Sequence, residues 1–182
     1  MSRNTISRSL HDLGLSAWFG GTLANAVALN PAAAKASGAS DVGAVANAGW
    51  DRWTPVNAAA IGAHLIGSLG QIGGNKARIK DQQGVASMAL AKTGLTAAAL
   101  GVTAYSRVLG KKVSAHQNVP ASSGTKPAMG TPPEVAAAQR QLRMLQWAVP
   151  ALTGALVVVS AFAGEQERPS EVHKGIAKRV LG

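Results

Sequence analysis

The chain has 182 residues and no cysteine, with a formal net charge of +10. Hydrophobic residues make up 47% of it, aromatics 4% and charged residues 14%. The lack of cysteine excludes a disulfide framework, a thiolate metal site and a cysteine nucleophile. The charged fraction is far below the roughly 25% of ordinary soluble domains, and alanine and glycine, which make close-packed membrane helices, supply much of the apolar count.

The mean hydropathy of +0.11 fits apolar segments alternating with long polar connectors. The basic residues stand between and beside those segments. Loops beside anionic lipid headgroups carry that pattern, whereas a nucleic-acid-reading face clusters its charge on one surface. The first residues, MSRNTISRSLHD, do not read as a cleavable signal peptide, because the apolar run after them is too long for a signal-peptide core.

The first charge-free run is Leu13 to Ala34, between Asp12 and Lys35. Asn30-Pro31 closes it, which predicts a span at about 13–30. The second run, WTPVNAAAIGAHLIGSLGQIGGN, covers Trp53 to Asn75. Thr54-Pro55 offers an N-cap and a proline at the first helical position, and Gly73-Gly74-Asn75 offers a stop. The predicted span is about 55–73. A short basic loop, NKARIKDQQ, follows.

The third run, Val85 to Ser106, holds the single charge Lys92 and predicts a span at 85–107. Residues 110–130 are rich in Ser, Pro, Gly and Lys and read as an irregular loop. Thr131-Pro132-Pro133-Glu134 matches a capping box. It starts one long helix from Pro132 to Ala163, about 48 Å at the helical rise, bent at Pro150. Only 144–163 of that helix would lie in the bilayer. In the tail, 170–181, Val172, Ile176 and Val180 recur every four residues beside Lys174, Lys178 and Arg179. That pattern reads as an amphipathic helix on the membrane surface, or as a solvated tail.

Each run matches the roughly 20 residues a bilayer core requires. The expected fold is therefore an all-α integral membrane bundle of four transmembrane helices, the last extended beyond the bilayer. Trp50, Trp53, Tyr105 and Trp147 fall on one face of such a bundle and form an interfacial belt, with Trp18 alone near the other face. Basic residues, Arg3 among them, are split almost evenly between the two faces. The short basic second loop favours both termini in the cytoplasm, in a plasma (inner) membrane.

Two residues stand out chemically. His64 lies mid-span, where a polar side chain is a packing residue bonded across a helix interface, or a ligand or relay. Lys92 would cost about 2.5–3.5 kcal/mol at the bilayer centre. Two turns into its span it can snorkel to the near face, or it can face a cavity. Ala59, Ala63 and Gly67 form one small-residue stripe, and Ala97 with Gly101 another. Such stripes are helix-packing faces. No carboxylate lies in a span, and no P-loop, HExxH or GxSxG is present. No catalytic residue, metal site or cofactor is expected.

HDLGLSAWFGGTLANAVALN, NAGWDRWTPVNAAAIGAHL and QRQLRMLQWAVPALTGALVVVSA together resemble uncharacterised small membrane proteins of actinobacteria. The resemblance implies a multi-pass inner-membrane protein. His11, Trp18, Gly20 and Gly21 form H-x6-W-x-G-G, which is similar to the first helix of copper-resistance D-like four-helix membrane domains. The functional expectation is a non-catalytic accessory or scaffold subunit, whose partners are the bilayer and other membrane proteins or itself, and no nucleic acid. The alternatives are a ligand-handling or small transporter-like protein using His64 and Lys92, and a haem- or quinone-linked subunit of a redox complex.

Overall fold

The computed structural model describes residues 4–116 and 118–181, the last three by backbone alone. Arg3 of the basic N-terminus, and the Arg179 and Val180 side chains of the amphipathic tail, lie outside the described residues. The chain is all-α apart from one small hairpin. α1 is Thr5–Ala24, and a π-helical turn, Asn25–Leu29, carries it without a break into α2, Asn30–Ala33. Then come α3, Ala39–Gly74; α4, Lys76–Asp81; α5, Val85–Ser114; β1, Ala121–Ser123, antiparallel to β2, Lys126–Pro127; α6, Pro133–Glu165; and α7, Pro169–Leu181.

Several boundaries differ from the sequence expectation. Asn30-Pro31 does not end the first helix: the Asn30 amide closes a π turn on the Asn25 carbonyl, and Pro31 falls in the first turn of α2, where a proline is tolerated. Thr54-Pro55 is not a start. α3 begins 16 residues before Pro55, at Ala39, and carries the proline inside it. The Thr54 hydroxyl donates to the Trp50 carbonyl instead of capping the helix. α6 runs unbroken from Pro133, but the Thr131 hydroxyl donates to the Pro120 carbonyl rather than to a helical amide. The 110–130 stretch is not wholly irregular: α5 continues to Ser114, and the β1–β2 hairpin lies beyond it.

The long helices form two antiparallel hairpins, α1 with α3 and α5 with α6. α1 and α6 then pack together, which gives the order α3–α1–α6–α5. Trp18, Ala99 and Val149 close the joint, and Trp18 is wholly buried there rather than standing at a second interface. α3 and α5 barely meet, so the arc stays open between them.

Each end has its own closure. At one end, here the hairpin end, Ala33, Val42, Ala46 and Ala121 form one small core, and Leu109, Val113, Val135 and Ala138 another. The buried Asn30 links these elements. Its amide donates to Gln146 Oε1 at 2.9 Å, and its Oδ1 accepts from Trp50 Nε1 at 3.2 Å. At the opposite end Arg78 of α4 donates to the Gln166 carbonyl at 2.8 Å and pairs with Glu167 at 3.0 Å. Glu167 also pairs with Arg8. Burial, then the neighbouring Arg8, holds the Arg78 pKa below the usual arginine value. The Gln83 amide donates to the Gly175 carbonyl and holds α7 against this end. The N-terminal helix, the second loop and the tail therefore share one end.

Among the described residues, two helices, α5 and α6, are long and apolar enough to cross a membrane. The core helix of a soluble protein is mostly buried, yet almost none of the apolar stretch of α5 is buried within the chain.

Candidate functional site

The α1–α3 seam creates the site. A Cβ at Gly14 would strike the Ala60 carbonyl and the His64 amide, and a Cβ at Gly67 would strike the His11 amide and the Ser7 carbonyl. Glycine at both positions lets the two backbones touch. His11, Leu15, Trp18 and Thr22 fall on one helical face and are buried against α3 and its neighbours. Ala60, His64 and Gly67 are the buried face of α3.

This register stacks His11 on His64. Their ring centroids lie 4.6 Å apart at 46°, and Trp18 lies 6.1 Å from His64. Both imidazoles are at most 1% exposed. His64 Nδ1 faces the His11 carbonyl at 3.5 Å, and the Thr96 hydroxyl lies 3.3 Å from His64 Nε2. A proton on Nδ1 satisfies both contacts, since the carbonyl can only accept. His11 Nδ1 donates to Asp12 at 2.7 Å, which leaves His11 Nε2 as an acceptor, buried and without a partner among the described residues. Lys92, half-buried on α5, lies near Asp12 and acts electrostatically on both histidines.

The pair can accept one hydrogen bond at His11 Nε2. No group of three or more His, Cys, Asp or Glu residues is placed to hold a metal ion among the described residues. Two rings in contact leave no gap for a porphyrin plane, so a haem held between them does not fit this geometry.

The other sequence-derived residues fall elsewhere. Ala63 is half-buried and Ala59 exposed, so of their stripe Gly67 alone is fully buried, and His64 and Ala60 replace Ala59 on the packing face. Ala97 and Gly101 are exposed, and a Cβ on Gly101 would meet nothing within the chain. They are not a packing face between helices of this chain. The physical reason is that α5 turns Ala99, not Ala97 and Gly101, towards Trp18 and Val149. Trp50, Trp53, Tyr105 and Trp147 do gather at the hairpin end. Trp53 lies on Gly21, and the Tyr105 hydroxyl donates to Gln141. Gly20 of the H-x6-W-x-G-G pattern is open.

Sequence reasoning names His11 only within the H-x6-W-x-G-G pattern and does not bring it to His64. Its signal was present: His11, Leu15, Trp18 and Thr22 follow a 4-3-4 spacing, the stripe of a buried helix face.

A second feature is the gap between α3 and α5. It forms a cavity of about 330 Å³ lined by Trp50, Asn57, Ala58 and Ile61 on one wall and by Leu100, Thr103, Ala104 and Arg107 on the other. Compared with known proteins, the chain matches no family model, no curated protein and no solved structure.

Proposed function

We propose that this chain is an integral membrane protein whose four long helices cross the plasma membrane, and that it is a non-catalytic accessory or scaffold subunit. The observation that carries the reading is the bare face of α5. Its apolar stretch is almost wholly unburied within the chain, and Gly94, Ala97 and Gly101 lie exposed along it. Lipid gains little from small residues, whereas a partner helix gains close backbone approach. The outward side chains of Leu13, Ile66, Leu69, Leu90 and Phe162 are also large and apolar, as lipid contact requires. The joined end of α1, α4 and α7, with its basic second loop, faces the cytoplasm in this reading.

The test is purification from native membranes in mild detergent, with mass spectrometry of whatever co-elutes. A stoichiometric membrane protein, lost when Gly101 is changed to Leu, is the expected result. Elution as the chain alone sinks the accessory reading.

A second reading, ligand handling, is favoured by one observation, the unpartnered buried His11 Nε2. It predicts a large functional loss in a folded His11→Gln or His64→Gln protein, which the accessory reading does not.

A further inference from the structure

The gap between α3 and α5 is bridged at two levels, by the His64–Thr96 contact and by Arg107, whose guanidinium lies 3.8 Å from Asp51. The cavity continues past Arg107 to Val113 and Ser114. From Thr96 to Arg107 is 11 residues of α5, about 16 Å at the helical rise. One leaflet of a bilayer core is about 15 Å thick, half of the roughly 30 Å whole. The two contacts are therefore about one leaflet apart.

Its chemistry is graded along that length. The hairpin-end segments 31–54 and 105–147, Arg107 included, hold eight basic residues against three acidic ones, Asp41, Asp51 and Glu134. Trp50 stands at this mouth, and the deeper walls are Ala58, Ile61, Leu100 and Ala104. The cavity of about 330 Å³ lies within the volume range of small-molecule sites. An apolar slot under a cationic collar is complementary to an amphiphile with an anionic head.

The geometry points to an anionic glycerophospholipid, bound with one acyl chain between α3 and α5 and its phosphate at Arg107. This is a site on one chain, beside the α5 partner face, and it rests on the membrane placement proposed above. The partly exposed Arg107, 3.8 Å from Asp51, meets the phosphate by a charge-assisted hydrogen bond, so the headgroup contributes selectivity and the slot contributes retention.

The experiment is native mass spectrometry of the full chain purified from membranes in mild detergent, then supplied with equal phosphatidylglycerol and phosphatidylcholine. Wild type is expected to retain one phosphatidylglycerol. Ala104→Phe, which fills the slot from α5, is expected to retain at least about fivefold less, and Ala58→Leu fills it from α3 should the first variant not fold. Arg107→Gln is expected to lose the preference between the two lipids. Wild type without bound lipid, equal preference in wild type, or undiminished retention in a monodisperse slot-filled variant overturns the proposal. A chain absent from the membrane fraction overturns the placement beneath it as well.

Discussion

The two flanks of α3 are opposites. Towards α1, glycines bring backbone onto backbone, with Gly67 on Ser7 and His11 and Gly14 on Ala60 and His64, and Gly21 makes room for the Trp53 ring. Towards α5 the same helix offers Ala58 and Ile61 to an open cleft, bridged at two levels. Both flanks are apolar and poor in charge, so hydrophobicity does not distinguish them. What differs is whether small residues on one helix meet matching small residues on the next in register. The seam has that match, and its rigidity holds the histidine pair; the cleft lacks it and keeps room for a lipid chain.

The sharpest way to break this comparison is to enlarge one residue on each flank. Gly67→Leu drives a side chain into the backbone of α1, which cannot yield as a side-chain end would. A loss of about 3 kcal/mol or more is expected, the upper range of overpacking, read by circular dichroism on heating in detergent. Ala104→Leu, in the cleft, should move stability by less than about 0.5 kcal/mol. Equal losses would mean that the cleft closes in solution.

Asn30→Leu comes next. It removes one donor and one acceptor from the hairpin end, leaving Gln146 and Trp50 without that partner. About 2 kcal/mol is expected, the penalty for stranding buried polar groups. The change should appear both in thermal unfolding and as altered Trp fluorescence. At the opposite end Arg78→Gln breaks the tie to Gln166 and Glu167. The pairing is partly screened, so about 1 kcal/mol is expected globally, with faster amide exchange confined to α7. His64→Gln retains hydrogen-bonding capacity on the seam and should shift stability by less than about 1 kcal/mol, with co-elution of the partner unchanged. A larger loss of co-elution in a folded variant would favour the ligand-handling reading.

The sequence was most legible where one signal sufficed. The 133–165 helix follows from its proline start and from the long stretch after it without a breaker other than Pro150. The all-α class follows from charge-free runs of the right length. Pro55, with Asp51 and Arg52 just before it, imitated a boundary, because a proline inside a long helix looks like one at its start. Asn30-Pro31 misled in the same way, since a π turn leaves no mark in composition. The His11–His64 pair depends on the register between two helices, set by Gly14 and Gly67, and register belongs to no single segment. The small-residue stripes are visible in the sequence, but their rotation is not: Gly67 turns inward while Ala59, Ala97 and Gly101 turn out.

That outward turn gives the smallest predicted effect on the isolated chain and the clearest contrast with the seam. Gly101 has open space where a side chain would go. Gly101→Ala should leave the fold intact and raise its stability by up to about 1 kcal/mol, since glycine is the weaker helix former. Gly101→Leu should likewise unfold at a temperature no lower than wild type. The chain has no use of its own for a glycine there, so any selective effect must arise outside it. If Gly101→Leu abolishes co-elution of a membrane partner while the isolated protein stays as stable as wild type, the glycine serves an interface between chains, as Gly67 serves the one within. If co-elution survives, the stripe faces lipid, and the partner, where one exists, docks elsewhere on the bundle.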